Sequence, residues 1–301
     1  MTPSPKRTVL ITGCSAGGIG DYLAQAFHAR GDCRVFATAR NPSKMSHLAA
    51  LGIETLALDV TSAESIASCV GKVAAETNGR GLDVLVNNAG NGSPGPLMET
   101  DMEAARHVME LNFWAVLETT RGFLPLLIKS GRGVIVNNTS AGSSILLLWA
   151  GVYSLAKAAT AMMCEVLRLE LEPLGVQVVD IKTGGVKTNF HSNQLGDSRD
   201  PTLVPGSLYE TARKEIEAHM GGKELREGAV EVDVYATKVV ADLLGGKRAP
   251  RFVWQGAGSR LLWMSLTFFP SSVMDMLVRQ VSKLDVIEKV MKDARRVGGK
   301  P

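Results

Sequence analysis

A short apolar run, TVLIT at 8–12, ends in the turn Gly13-Cys14-Ser15-Ala16-Gly17-Gly18-Ile19-Gly20 and passes straight into DYLAQAFHARG, a helical pattern. A strand that turns this sharply into a helix delivers the unpaired N–H groups of the helix to the strand's carboxyl end. Glycines there let a phosphate approach the backbone. Many loops contain glycines, so the turn alone says little about a dinucleotide. Its place at the head of an alternating series gives it weight. Strands are expected at 8–12, 34–39, 54–58, 84–87, 133–138, 176–182 and 251–254, and helices at about 18–30, 62–77, 99–129, 152–172 and 229–244. Strands such as VLV and VIV, apolar on both sides, suit a parallel sheet covered on both faces. The reading is a single doubly wound (Rossmann) α/β domain over 6–255 with a C-terminal helical extension over 256–301.

The 301 residues show no repeat, no low-complexity tract and no long linker, so one large domain fits better than two. A formal charge of +3 without a Lys/Arg block gives nucleic-acid binding no electrostatic support. Cys14, Cys33, Cys69 and Cys164 are scattered without CxxC spacing or a histidine cluster, which argues against a metal site or a disulfide framework and for a reducing compartment. The first residues hold no long apolar run, so neither a signal peptide nor an anchor is expected, and a cytoplasmic location follows. Two stretches break the rhythm. Residues 190–228 are polar and turn-rich after the sixth strand, where open α/β sheets bind ligands, and read as a substrate lid or as an ordinary surface loop. Residues 260–280 (RLLWMSLTFFPSSVMDMLVRQ) are apolar, but the run 261–269 is too short to span a bilayer. Core packing, a subunit contact or a peripheral contact with a membrane or lipid droplet are open there.

Chemistry enters with Tyr153 and Lys157, four residues apart on one expected helix and preceded by Ser140. Residues at i and i+4 share a helical face. A phenol has a pKa of ~10, and a neighbouring ammonium favours its ionised form. A hydroxyl beside them can hold an oxygen on which charge develops. The second strand ends in Ala39-Arg40, where an acidic residue would select NAD. A guanidinium there suits a 2′-phosphate, so NADP(H) is expected. Ser15 is a possible second phosphate contact and Lys44 a weaker one. Asp59-Val60 suits either a carboxylate facing the adenine amino group or the cap region of the next helix. Asn87-Asn88-Ala89-Gly90 leaves room for a ribose at the end of the fourth strand, and its asparagines can tie neighbouring strands.

Taken together, TG…GxG, DV, NNAG, Ser140 and Tyr-x-x-x-Lys resemble the short-chain dehydrogenase/reductase family over roughly residues 6 to 255. The resemblance implies a tetrad of Asn112, Ser140, Tyr153 and Lys157. Tyr153 would pass its proton to a carbonyl oxygen held by Ser140, Lys157 would bind the nicotinamide ribose, and Asn112 would anchor a water on the proton path. It implies cofactor contacts from Gly13, Gly18, Ile19, Gly20, Asn88, Ala89, Gly90, Tyr153, Lys157, Gly184, Val186 and Thr188, beside Ser15, Arg40, Asp59 and Val60. Three departures stand out. The glycine turn is one residue longer than usual, so Gly17 or Gly18 holds the middle role, with Gly18 the better match. Thr183-Gly184 replaces the usual Pro-Gly, which puts the rigidity of the nicotinamide-side loop in question. Ser143 and Ser144 lie near Ser140, which keeps the catalytic role by its thirteen-residue spacing to Tyr153.

The run Leu146-Leu147-Leu148-Trp149 suggests an apolar wall and a hydrophobic carbonyl or alcohol substrate, although core or subunit contacts would also use such residues. Two segments, 34–62 and 253–277, are similar to fungal NADPH-dependent acyl-dihydroxyacetone-phosphate reductases and to retinol and hydroxysteroid dehydrogenases. These likenesses imply reduction of a lipid-like ketone or aldehyde by a homodimer or homotetramer. A tailoring reductase of a fungal polyketide or terpenoid pathway and a non-catalytic dinucleotide-binding scaffold are the alternatives. A nucleotide-sugar epimerase would need a larger C-terminal substrate domain.

Overall fold

Seven strands with apolar side chains on both sides can be satisfied only by helices on both faces of the sheet, and that is the arrangement in the computed structural model, which describes residues 5–190, 201–222 and 228–298. The strands β1 (Arg7–Thr12), β2 (Cys33–Ala39), β3 (Glu54–Ala57), β4 (Val84–Asn87), β5 (Val134–Asn138) and β6 (Gln177–Thr183) are joined by β9 (Phe252–Gln255), in the order β3-β2-β1-β4-β5-β6-β9. Every pairing is parallel. Between β6 and β9 the two-residue strands β7 (Val186–Lys187) and β8 (Val230–Glu231) pair with each other. The expected Rossmann architecture is therefore present, with each of the seven expected strands in place.

The helices are α1 (Ile19–Ala29), α2 (Ser46–Ala50), α3 (Ala63–Glu76), α4 (Met102–Met109), α5 (Ala115–Ser130), α6 (Gly151–Glu170), α7 (Arg213–Met220), α8 (Val232–Leu244), α9 (Ser259–Phe268), α10 (Ser271–Val281) and α11 (Leu284–Gly298). Alternation along the strands splits the core in two. Val9 and Ile11 pack with Leu23 and Phe27 of α1 and Val239 of α8, whereas Leu10 and Leu85 meet Ile66 of α3 and Phe123 and Leu127 of α5. The helix expected over 99–129 is interrupted. Glu110–Trp114 forms a π-turn between α4 and α5, and Asn112 sits inside it with its Nδ2 donating to the Val108 carbonyl at 2.9 Å. An extra residue in one turn re-aims a side chain, which is a use π-turns often serve.

Strand order reverses at β1 and β4, and this creates the crevice in which such sheets take ligands. Both of its ends are tied. At the floor, the buried Asp83 carboxylate accepts the Thr8 N–H at 2.8 Å and a fork from Arg132 at 2.8 and 3.0 Å. At the rim, the Thr12 hydroxyl accepts the N–H groups of Asn88 and Ala89 at 2.9 and 3.0 Å.

Residues 191–200 and 223–227 of the expected lid lie outside the described residues. Its described part includes α7, whose Ile216 and Met220 pack with Ile287 of α11. Core packing does not account for 260–280. Leu261 is 64% and Phe268 71% exposed, because α9 turns two serines, Ser259 and Ser265, to its buried side. Among the described residues no helix is long and apolar enough to cross a membrane.

Candidate active site

The turn after β1 takes its shape from two glycines in the left-handed region, Gly13 at φ +74° and Gly17 at φ +77°. Any other residue would be strained there. Gly18 is the N-cap of α1 and Gly17 donates its N–H to Asp21 Oδ2 at 2.8 Å, so the two candidates for the middle position have separate jobs. Asp21 also accepts from His47 at 2.7 Å, which ties α1 to α2. Close approach explains two further glycines. A Cβ on Gly13 would lie 2.9 Å from Ala89 Cα, and one on Gly20 would lie 2.5 Å from the Gly13 carbonyl oxygen. Ser15 and Ile19 lie partly buried in the same turn. At the edge of the crevice Arg40 is exposed, and its charge helps hold the Asp59 carboxyl below its usual range, behind the larger effect of the Thr61 hydroxyl. The cap of α3 is Ser62, which accepts from Ser65 N, while Asp59 binds the Thr61 N–H and hydroxyl. Val60 is buried behind it.

A chain of polar side chains crosses the carboxyl ends of four strands. Tyr235 of α8 lies 2.6 Å from the Thr183 hydroxyl, which donates to Asn138 Oδ1 at 2.5 Å. Asn138 Nδ2 donates to Asn88 Oδ1 at 2.9 Å, and Asn88 Nδ2 to the Thr12 carbonyl at 2.9 Å. One strand layer below, Asn87 donates to Asn137 at 2.8 Å. Thr183 thus does with hydrogen bonds what a proline ring would do by restricting φ. The loop it opens carries Gly184, where a Cβ would meet the Ala257 carbonyl oxygen at 2.3 Å, then Val186 in β7 and Thr188, whose hydroxyl accepts the Phe190 N–H at 3.2 Å.

Lys157, buried on α6, donates to the Asn138 carbonyl at 2.9 Å, and its Nζ lies 5.8 Å from the centre of the Tyr153 ring. Ser140 follows β5, accepts the Gly142 N–H at 3.0 Å and hydrogen-bonds the Tyr153 phenol. Gly90 meets the same cluster: a Cβ there would lie 2.6 Å from Asn112 Oδ1 and 3.4 Å from Lys157 Nζ. Asn112 is wholly buried and its Oδ1 has no partner, although its Nδ2 binds the Asn91 carbonyl at 2.9 Å and its own carbonyl accepts from Thr160. An orphaned buried acceptor beside a lysine and a bare glycine leaves polar capacity for a bound group.

Burial dominates the electrostatics of this pair. Burial pushes the Tyr153 phenol up to about 12, and the Ser140 hydrogen bond only tempers the rise. Burial also lowers Lys157 to about 8, with Asp180 and then Cys164 pulling it back up. Desolvation of the phenolate is the largest effect on Tyr153.

Around this centre, a Cβ on Gly142 would lie 2.4 Å from Leu147, so that leucine covers the Ser140 turn, and the Phe190 ring lies 5.8 Å from that of Tyr153. Trp149 stacks edge-on against Tyr209, which precedes α7, at 5.3 Å. Leu146, in contrast, is exposed.

The sequence pattern of the short chain dehydrogenase family matches residues 7–198. The chain belongs to the short-chain dehydrogenase family. Over 292 residues it is 41% identical to a short-chain dehydrogenase/reductase from Pestalotiopsis microspora, covering 97% of this chain and 99% of the relative. Over 287 residues it is 35% identical to the NADPH-dependent 1-acyldihydroxyacetone phosphate reductase of Schizosaccharomyces pombe, covering 93% and 95%. A solved short chain dehydrogenase from Burkholderia cenocepacia in complex with NADP is similar at a TM-score of 0.70 and 25% identity, over 91% of this chain and 98% of that one.

This short-chain dehydrogenase places the four tetrad residues and the glycines around one end of the sheet. Sequence reading missed what supports them: Asn138, Tyr235, Asp180 and Lys182. Asp180 and Lys182 left a visible signal, two charges at i and i+2 in a strand otherwise apolar on both faces. Tyr235 left none, since a tyrosine on a helix is common. Replacing Thr183 by valine strands the buried Tyr235 hydroxyl and should cost about 1–3 kcal/mol, measured by urea unfolding against wild type.

Proposed function

We propose that this oxidoreductase is an NADPH-dependent reductase of a hydrophobic, lipid-like ketone or aldehyde, with Tyr153 as the proton donor. The observation that carries the reading is the meeting of Ser140, Tyr153 and Lys157 beside Gly90 and the glycine turn. Gly13, Gly18, Gly20, Asn88, Ala89, Gly90 and the stretch 184–188 would hold the dinucleotide, with Arg40 facing a 2′-phosphate. When bound, NADPH supplies the hydride. Ser140 holds the carbonyl oxygen by a hydrogen bond, and such a placed donor acts where charge develops. Tyr153 then releases its proton to that oxygen. Lys157 keeps positive charge close to the resulting phenolate, and Asn112, with one free acceptor, anchors the far end of the proton path. Leu147, Phe190 and the Trp149–Tyr209 pair give the acceptor site its apolar character. The NADPH dependence of the fission-yeast relative and the NADP-bound structural neighbour support the choice of nucleotide.

The exposed side of α6 carries Leu155, Met162, Val166 and Leu169 at helical spacing, an apolar stripe that suits contact with a second copy. The exposed apolar residues of α9 and α10 suit contact with the lipid phase from which such a substrate would come.

Four outcomes test the reading. A screen at fixed NADPH across acyl-dihydroxyacetone phosphates, retinal, steroid ketones and aromatic polyketide ketones should find its fastest turnover among lipid-like carbonyls. Binding of NADPH with no turnover anywhere in the panel would favour the scaffold alternative. Tyr153→Phe should lose at least about 1000-fold in kcat, within the range expected of a lost acid, while NADPH binding persists by fluorescence titration. Arg40→Asp should raise kcat/KM for NADH relative to NADPH by at least about tenfold, the scale of one lost charge-assisted contact. Lys157 is charged below about 8 and neutral above it, and Tyr153 stays protonated throughout that range. The rate of reduction should therefore fall as pH rises through about 8, approaching about tenfold per unit; a flat profile would remove Lys157 from the charge balance.

A further inference from the structure

Strand β6 lies inside the sheet, between β5 and β9, yet carries two charges that are almost wholly buried. Asp180 is 1% and Lys182 5% exposed, and they pair at 2.7 Å. Burying two ions costs several kcal/mol each unless the remaining hydrogen-bonding capacity is filled. Part of it is filled by the segment that carries the catalytic serine, while Asp180 Oδ2 has the ion pair with Lys182 alone. The Thr139 hydroxyl donates to Asp180 Oδ1, and Lys182 Nζ donates to Ser143 Oγ at 2.8 Å. Ser143 Oγ in turn donates to the Ser140 carbonyl at 2.6 Å. The 3-10 turn displaying the Ser140 hydroxyl is thus gripped on both sides by one ion pair.

The same pair faces Lys157. Asp180 and Lys182 project to the side of the sheet that α6 covers, and Lys157 reaches down from α6 to the Asn138 carbonyl, next to Thr139. Every element packed there contributes: Lys157, Cys164 and Glu165 from α6, Asn137 from β5 and Thr139 just after it, Ser143 from the turn, and Phe252 from β9 with Arg251 just before it. Asn137 is engaged by Cys164, Glu165 is engaged by Arg251, and the Phe252 ring lies 5.8 Å from Lys182 Nζ. Asp180 therefore pairs directly with Lys182, while Lys157 is bound to the Asn138 carbonyl, one residue from the Thr139 that holds Asp180. Asp180 opposes the loss of the Lys157 charge that burial favours.

We propose that Asp180 and Lys182 are positioning residues of the catalytic centre: Lys182 fixes the Ser140 turn through Ser143, and Asp180 is the buried countercharge of Lys157. The proposal rests on the oxidoreductase reading for its meaning, but its test needs no turnover. In full-length protein labelled with 13C-lysine, the Lys157 Cε signal, assigned by its loss in Lys157→Arg, is titrated between about pH 6 and 11. Asp180→Asn should lower its midpoint from about 8 by about one unit. Because that variant leaves Lys182 buried without a partner, the double variant Asp180→Asn/Lys182→Met is the second arm; it is compared with Lys182→Met, so that the lost repulsion from Lys182 cancels, and should show the same fall. In Ser143→Ala the Gly142 amide, which binds Ser140 Oγ, should exchange with deuterium at least about tenfold faster, and Ser143→Thr should restore it. An unmoved Lys157 midpoint in folded Asp180→Asn against wild type, or in the folded double variant against Lys182→Met, overturns the countercharge. Unchanged Gly142 exchange in Ser143→Ala overturns the grip on the turn. If both effects occur but no carbonyl is reduced, the fault lies with the proposed activity and not with the pair.

Discussion

The site depends on one line of hydrogen bonds along the carboxyl edge of the sheet, from Tyr235 through Thr183, Asn138 and Asn88 to the Thr12 carbonyl. Each member is held by a different strand or helix, and each has its polar groups matched by the next. Inside a protein such a chain is stiff, because breaking one link leaves a buried donor or acceptor without a partner. Asn138 lies at its middle and also offers its carbonyl to Lys157. The distance from the glycine turn to the lysine is therefore set by side-chain amides and not by the loops alone.

That seam shows how a departure from a family pattern can be absorbed. Losing proline at 183 frees φ, which would loosen the loop over the crevice. Threonine restores order by another route, with one hydroxyl engaged by both Tyr235 and Asn138. The change transfers part of the site's precision to α8, a helix whose main job is to cover the sheet. A substitution at Tyr235 would thereby reach the nucleotide side of the crevice through two hydrogen bonds.

The parallel sheet was legible in the sequence because period and composition report burial directly: VLIT, VLVN and VIVNN are apolar on both sides and end in small or polar residues. The Tyr153–Lys157 pair was legible because its spacing is local, one helical turn, whereas Ser140 and Asn112 were expected from the family resemblance. What escaped was non-local. Asn138 reads as the tail of a strand, and nothing near it announces that its amide meets Thr183, 45 positions on. The helix expected over 99–129 escaped for another reason: a π-turn needs no glycine or proline, so the pattern runs on while Asn112 is rotated towards Gly90. The rise that burial imposes on Tyr153 also escaped, because spacing places an ammonium near a phenol but says nothing of the water both have lost. The exposure of Leu261 and Phe268 also lay beyond the pattern, since apolar runs look alike whether they face a core, a partner or lipid.

Trp149 brings the substrate side into the same account. It is one of the few residues other than glycine at positive φ, +63°, in a region that costs a bulky residue about 1–3 kcal/mol. Its indole nitrogen is buried without a partner. Strain of this kind persists only where neighbours over-determine the conformation. Here Gly95 donates its N–H to the Trp149 carbonyl at 2.7 Å, Tyr209 packs edge-on, and Ile287, Val290 and Met291 of α11 close the cluster from behind. Glu99 holds the segment before α7 as well, accepting from Ser207 and from the Leu208 N–H at 2.7 Å. The last helix of the chain is thus packed into the wall that begins four residues before Tyr153. Through Trp149 the C-terminal extension is joined to the segment that leads into α6 and Tyr153.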